Sequence, residues 1–187
     1  MFRPMGESRP ADPRETSTRP PTFVPKRYYA HSPNDAGQWH DLADHLRSVA
    51  KLAGDFAGQA AWKEEAALAG LLHALGKYGD RFQARLRGQD QGLDHWSQGA
   101  WLALTECRAV AAVLAIQGHH IGLQRANKDA FRQLDPTVLA RNHPLRLDLS
   151  DPDPARLKGR AGADGIDFRP PPRAALSLQG GMEHAIA

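Results

Sequence analysis

Five of the nine histidines in this chain stand in apolar or glycine-bounded surroundings: His45 in WHDLADHLRSVAKLA, His73 in LAGLLHALGKYGDRF, His95 in LDHWSQGA, and His119-His120 in IQGHHIGL. Neutral imidazole is the commonest metal-binding side chain, so histidines on separate apolar helices can converge on a metal inside a helical domain. A lone histidine on an apolar face is more often a core residue with one satisfied hydrogen bond, and that plainer reading suits His45 taken alone. Five in order, separated by 28 (73 − 45), 22 (95 − 73) and 24 (119 − 95) residues, favour a metal site over independent accidents.

The adjacent pair carries the most geometry. Neighbouring residues on an α-helix point about 100° apart, so both imidazoles are expected to face one site only where the helix has ended. Gly118 and Gly122 flank the pair and permit a change of direction. A histidine near a helix C-terminus, favoured there by the dipole, is the plainer reading for one of them but explains two less well.

The elements that must position these residues are helical. Leu42, His45, Leu46, Val49, Leu52, Ala53 and Phe56 recur at three-and-four spacing, which puts His45 on the apolar face of its helix. A second helix is expected from about Lys63 to Leu75, ended by Gly76, with His73 in its last turn. Shorter helices are expected near 80–86, 95–105, 108–117 and 128–134, and no stretch alternates as a sheet protein would.

The expected fold is therefore all-α, in three zones. Residues 1–34 contain seven prolines among Arg, Ser and Thr and read as an extended basic arm. Residues 35–141 read as the helical domain, and 142–187 as an irregular, loop-rich segment dense in Pro, Gly and Asp, stopping as a final helix starts and so resembling a fragment's end. On that reading Asp148, Asp151, Asp153, Asp164 and Asp167 are not ligands, and His143 and His184 are ordinary surface residues.

Composition sets broader limits. A 41% hydrophobic and 24% charged content is ordinary for a globular protein, and a net charge of +3 is compatible with a nucleic-acid partner without indicating one. The single cysteine, Cys107, excludes an internal disulfide, fits a reducing compartment and sits among apolar neighbours that suit a buried thiol. The N-terminus has no continuous apolar region and no run long enough to cross a bilayer, so the expected compartment is the cytoplasm, without a membrane partner.

The segments YYAHSP, HDLADHL, LLHALGKYGDRFQARL, DHWSQGAWLAL and IQGHHIGL, over about residues 28–123, resemble in order and wording the HD nuclease domain of the CRISPR-associated helicase-nuclease of type I systems. The resemblance implies an HD-type helical bundle that cleaves single-stranded DNA with divalent metals. Its implied partners are a guide-RNA surveillance complex and a helicase, fused or in trans. It makes His45 the first metal histidine, His73 the histidine of the HD pair, and His95, His119 and His120 the second-metal set. Lys77 resembles a lysine beside the scissile phosphate, with a solvated helix-cap lysine as the alternative. His45 is preferred over His40 as ligand, and His31 is left without a role. Phosphate contacts are expected from Lys77, Arg81 and the basic arm.

Two departures bear on activity. Ala74 stands where the family has the aspartate that bridges both metals, and a last metal-binding aspartate is expected beyond Ala187. Two dications about 4 Å apart repel by roughly 16 kcal/mol at an effective dielectric of 20, so losing the bridge should cost the second ion first. What remains is at most about one ion on His95, His119 and His120. Three nitrogens suit Mn, Fe, Co, Ni or Zn better than Mg, which prefers oxygen. The expectation is an impaired nuclease domain, with a non-catalytic metal- or DNA-binding module as the alternative and a small-nucleotide phosphohydrolase as a third reading.

Overall fold

A computed structural model describes residues 26–58 and 60–172. The described chain is mostly helical, with eight α-helices and four short strands. The arm up to residue 25, the final apolar segment and His184 lie outside the described residues.

Helix α1 spans Leu42–Phe56 and begins where the Asp41 carboxylate accepts the Asp44 backbone N–H, which satisfies one of the unpaired donors of the first turn. Leu42, Leu46, Ala50 and Gly54 form its buried stripe. Helix α2, Ala60–Leu72, packs along it, and Gly70 makes that approach possible: a Cβ there would lie 2.6 Å from Ala50 Cα. The inward face continues through Leu68 and Leu72 into one core shared with helices α4 (Ser97–Thr105) and α5 (Val110–Ile121). Between α2 and α4, helix α3 spans Asp80–Arg85.

Helix α2 stops at Leu72, before the expected end at Leu75, and a 3-10 turn follows over Leu75–Tyr78. The cause lies across the fold. The Gly76 N–H donates to the His95 carbonyl at 2.9 Å instead of continuing a helical ladder, and a Cβ at Gly76 would lie 2.6 Å from His95 Cα.

The mostly helical expectation holds, with four short strands added among the described residues. Strands β1 (Tyr29–His31) and β2 (His40–Asp41) pair antiparallel, and β3 (Leu93–Asp94) pairs in parallel with β4 (Asp148–Leu149). At two or three residues each, they are too short for an alternating pattern to show. Tyr28 and Ala30, assigned to the extended basic arm, are buried, with the Tyr28 ring set edge-on to Tyr78 at 5.0 Å.

The irregular reading of residues beyond 142 holds only in part for the described residues. After the short helices α6 (Lys128–Arg132) and α7 (Pro136–Leu139), helix α8 runs from Pro154 to Ala163. Asp153 caps it by accepting the Ala155 and Arg156 N–H groups, and Pro154 occupies the first turn, where its missing N–H costs nothing. Leu157 and Ala161 are fully buried, and Ile166 and Phe168 close the same core. Cys107 is buried as expected, and burial pushes its thiol pKa up to about 11. Among the described residues, no helix is long and apolar enough to cross a membrane.

Candidate metal centre

Each histidine is placed by a different local device. His45 sits in the first turn of α1, and His73 follows the last residue of α2. His95 follows β3, held by the parallel pairing with residues 148–149 and by the Gly76 contact. That support continues inward: Ser150 Oγ donates to the Gly76 carbonyl at 2.7 Å, and Gln98 Nε2 donates to Ser150 Oγ and the Asp151 carbonyl. The segment read as a loop thus buttresses the turn that carries His95.

His119 and His120 both lie in the last turn of α5, which runs on to Ile121 before Gly122 turns the chain at φ 77°. The expectation that the helix must already have ended is therefore wrong. Imidazoles reach far enough from the backbone to overcome the 100° divergence, and the two ring centres are 4.0 Å apart.

All five expected histidines join one continuous line of rings. His45 Nε2 faces His73 Nε2 at 3.3 Å, His73 packs on His119 with ring centres 5.3 Å apart, and His120 Nε2 faces His95 Nε2 at 3.1 Å. His95, His119 and His120 offer ligand atoms that all lie within 4.8 Å of one another. Metal–imidazole bonds of about 2.0–2.1 Å place tetrahedral nitrogens roughly 3.3 Å apart, so the His95–His120 spacing suits a shared ion with little movement.

The hydrogen bonds orient the lone pairs. His73 Nδ1 donates to the Gly70 carbonyl at 2.8 Å and His119 Nδ1 to the Ile116 carbonyl at 2.5 Å, which leaves Nε2 of each as the electron-pair donor. His95 Nδ1, by contrast, is buried with no partner among the described residues. Burial keeps the rings neutral: it depresses the pKa to about 3 for His45, about 4 for His73 and His120 and about 2 for His95, and lowers that of His119. The nearby Lys77 ammonium acts in the same direction on all of them. Neutral imidazole is the metal-binding form.

Lys77 is neither a solvated cap nor free for a phosphate. It is buried, donates to the Ala30 carbonyl at 3.0 Å, and has its pKa lowered to about 8 by burial. Arg81, expected to contact phosphate, is held instead by Asp90 and Asp148. Ala74 is fully buried within the apolar core and offers no charge.

The sequence reading missed two pairs of residues. His143, read as a surface residue, is half-buried with its side chain turned inward, and donates from Nε2 to Asp94 Oδ2 at 2.9 Å, while its Nδ1 accepts the Leu145 N–H. Asp94 is itself fully buried, and its other oxygen accepts the Trp96 and Ser97 N–H groups at the start of α4. His31, left without a role, and His40, set below His45 as a ligand, come within 4.8 Å of His45 through their ligand atoms. The repeated histidines around YYAHSP and GQWHDLADH were the available signal for that second group.

No family model matches this chain, and no curated protein matches its sequence. The candidate site therefore rests on its own residues.

Proposed function

We propose that this chain is an HD-type metal-dependent phosphodiesterase domain related to the CRISPR-associated nuclease of type I systems, built for single-stranded DNA and impaired by Ala74. The single observation that carries the reading is the convergence of His45, His73, His95, His119 and His120, picked out by motif, into one line of neutral imidazoles. Such convergence from four separate elements is what a metal centre requires and what a packed helical core does not.

His95, His119 and His120 would hold a transition-metal ion such as Mn, Fe, Co, Ni or Zn. When bound, such an ion supplies positive charge and Lewis acidity to a phosphodiester. The chain's own residues do the rest: His119 presents Nε2 because its other nitrogen is tied to Ile116, Asp94 offsets positive charge near His119 and His120, and Lys77 fixes the strand at Ala30. With no carboxylate at position 74, control of a second ion on the His45–His73 side is weakened. A non-catalytic binding module is the second reading, favoured by the same alanine.

The test is metal content by elemental mass spectrometry, followed by cleavage assays with Mn or Ni on single-stranded DNA, duplex DNA and nucleotides. Bound transition metal with slow, single-strand-selective cleavage supports the proposal. Bound metal with no cleavage supports the binding module, preference for nucleotides supports a small-molecule phosphohydrolase, and absence of metal overturns both hydrolase readings and the metal-binding form of the module.

A further inference from the structure

Three histidines lie together at the far end of the ring line from the His95 trio. His31 ends β1, His40 begins β2, and the antiparallel register makes the two direct partners. His45 enters from the first turn of α1, immediately after β2. The His31 and His40 rings are nearly parallel, 27° apart with centres at 6.1 Å, and the His45 ring stands nearly perpendicular to both, with centres at 5.1 and 5.4 Å. One ligand atom from each falls within 4.8 Å of the others.

From these observations we propose that His31, His40 and His45 form a second transition-metal site, separate from the His95–His119–His120 trio, in which the N-terminal strand pair supplies two of three ligands. Metal–nitrogen bonds of about 2.0–2.1 Å require ligand nitrogens roughly 3.3 Å apart. The trio must therefore tighten by at most about 1.5 Å, a movement within reach of side-chain rotation. His31 and His40 are exposed, and their ring nitrogens have no protein hydrogen bond to give up among the described residues.

The chemistry selects the ion. Three imidazoles without a carboxylate favour Zn, Ni, Co or Cu over Mg or Ca, which need oxygen ligands. His73 stands between the two trios, facing His45 on one side and His119 on the other. Two ions held on either side of an intervening imidazole repel far less than two sharing one bridge about 4 Å apart, so the absence of a carboxylate at position 74 does not forbid both. An ion at the second site would also fasten β1 to α1, next to the bond from Lys77 to Ala30. The site stands whether or not the domain cleaves DNA.

Zinc and nickel stoichiometry of the full chain, measured by calorimetry and by elemental analysis after gel filtration, tests the proposal. Four proteins are compared: unmodified, His31→Ala/His40→Ala, His119→Ala/His120→Ala, and the combined variant. The expected counts are two ions, one, one and none. A His31→Gln/His40→Gln variant, which keeps polarity at these exposed positions, should also lose one ion, and circular dichroism confirms that each protein is folded. Cobalt absorption of the His119→Ala/His120→Ala protein should show the visible bands of a low-coordinate nitrogen site. Unchanged stoichiometry in both His31/His40 variants overturns this site and leaves the His95 trio intact. Unchanged stoichiometry in the His119/His120 variant overturns the other trio and leaves this one.

Discussion

His120 Nε2 lies 3.1 Å from His95 Nε2, although 25 residues separate them in the chain and they come from opposite sides of helix α4 in the sequence. Two Nε2 atoms at that distance share either the single N–H proton of one neutral ring or an ion, and the depressed basicity of both rings keeps them uncharged near neutral pH, with a lone pair free for a metal once that proton shifts to Nδ1 or is displaced. The contact is the pivot of the metal reading. Replacing His120 with alanine should lower transition-metal affinity by tenfold or more, with secondary structure unchanged by circular dichroism because the residue is exposed. Equal affinity in the variant would remove His120 from the ligand set.

Gly76 should be intolerant of any side chain. A Cβ there meets His95 Cα and the His95 carbonyl oxygen at 2.6 and 2.7 Å, and backbone atoms cannot rotate away. Gly76→Ala should therefore destabilise the fold by about 2–4 kcal/mol, the scale of overpacking with backbone displacement. It should also weaken metal binding by moving His95. Thermal denaturation with and without zinc checks both effects, and a variant as stable as the parent would show that the turn is not tightly seated.

Asp94 joins three donors in one buried carboxylate: Trp96 N, Ser97 N and His143 Nε2. Asp94→Ala leaves all three unsatisfied, and its expected cost is about 3–5 kcal/mol, comparable to breaking a buried charged network. His143→Leu removes one donor and keeps the two caps, so it should cost clearly less. Chemical denaturation midpoints of the two variants give the order, and the reverse order would contradict the network.

Much of the site was legible before folding and much of the fold was not. The five motif histidines announced themselves because their surroundings are apolar and their order is regular. His143 carried no such signal, since its partner Asp94 is 49 residues away and only tertiary packing joins them. Helix α8 was hidden for a different reason. Asp153-Pro154 reads as loop punctuation, yet the same two residues are an N-cap and a first helical position. The helical class followed from periodicity, whereas the four strands are too short to leave a pattern. Lys77 and Arg81 looked available to phosphate by residue type, and their actual partners, the Ala30 carbonyl and the pair Asp90 and Asp148, depend on contacts distant in sequence.

Acid should unfold the metal-free protein through its histidines. Their folded pKa values, about 3 for His45, about 4 for His73 and His120 and about 2 for His95, lie below the ordinary 6.5 of the unfolded chain. Between those limits the unfolded state binds more protons, so this contribution is complete above about pH 6.5 and is lost as pH falls toward 4 and below. The melting temperature should start to fall near pH 6.5, with net proton uptake on unfolding. A flat profile from pH 7 to pH 4 would show that the rings are not held neutral.

Ala74→Asp is the variant that connects stability to function. Position 74 is fully exposed to the core and 0% exposed to solvent, so a new carboxylate there loses its hydration, and the metal-free variant should be less stable than the parent by several kcal/mol. The penalty reverses when a cation is close enough to pair with the new charge. The line of imidazoles from His45 to His119 passes through the adjacent residue, His73, so transition metal should recover the lost melting temperature in the variant by more than it raises that of the parent. A tightening of metal affinity on the order of tenfold or more is expected, together with faster cleavage of single-stranded DNA in Mn or Ni. The decisive comparison is the metal-induced shift in melting temperature of the two proteins, which does not depend on turnover. If zinc and nickel stabilise both equally, position 74 does not face the metal centre, and the assignment of Ala74 to the place of the HD aspartate falls with it.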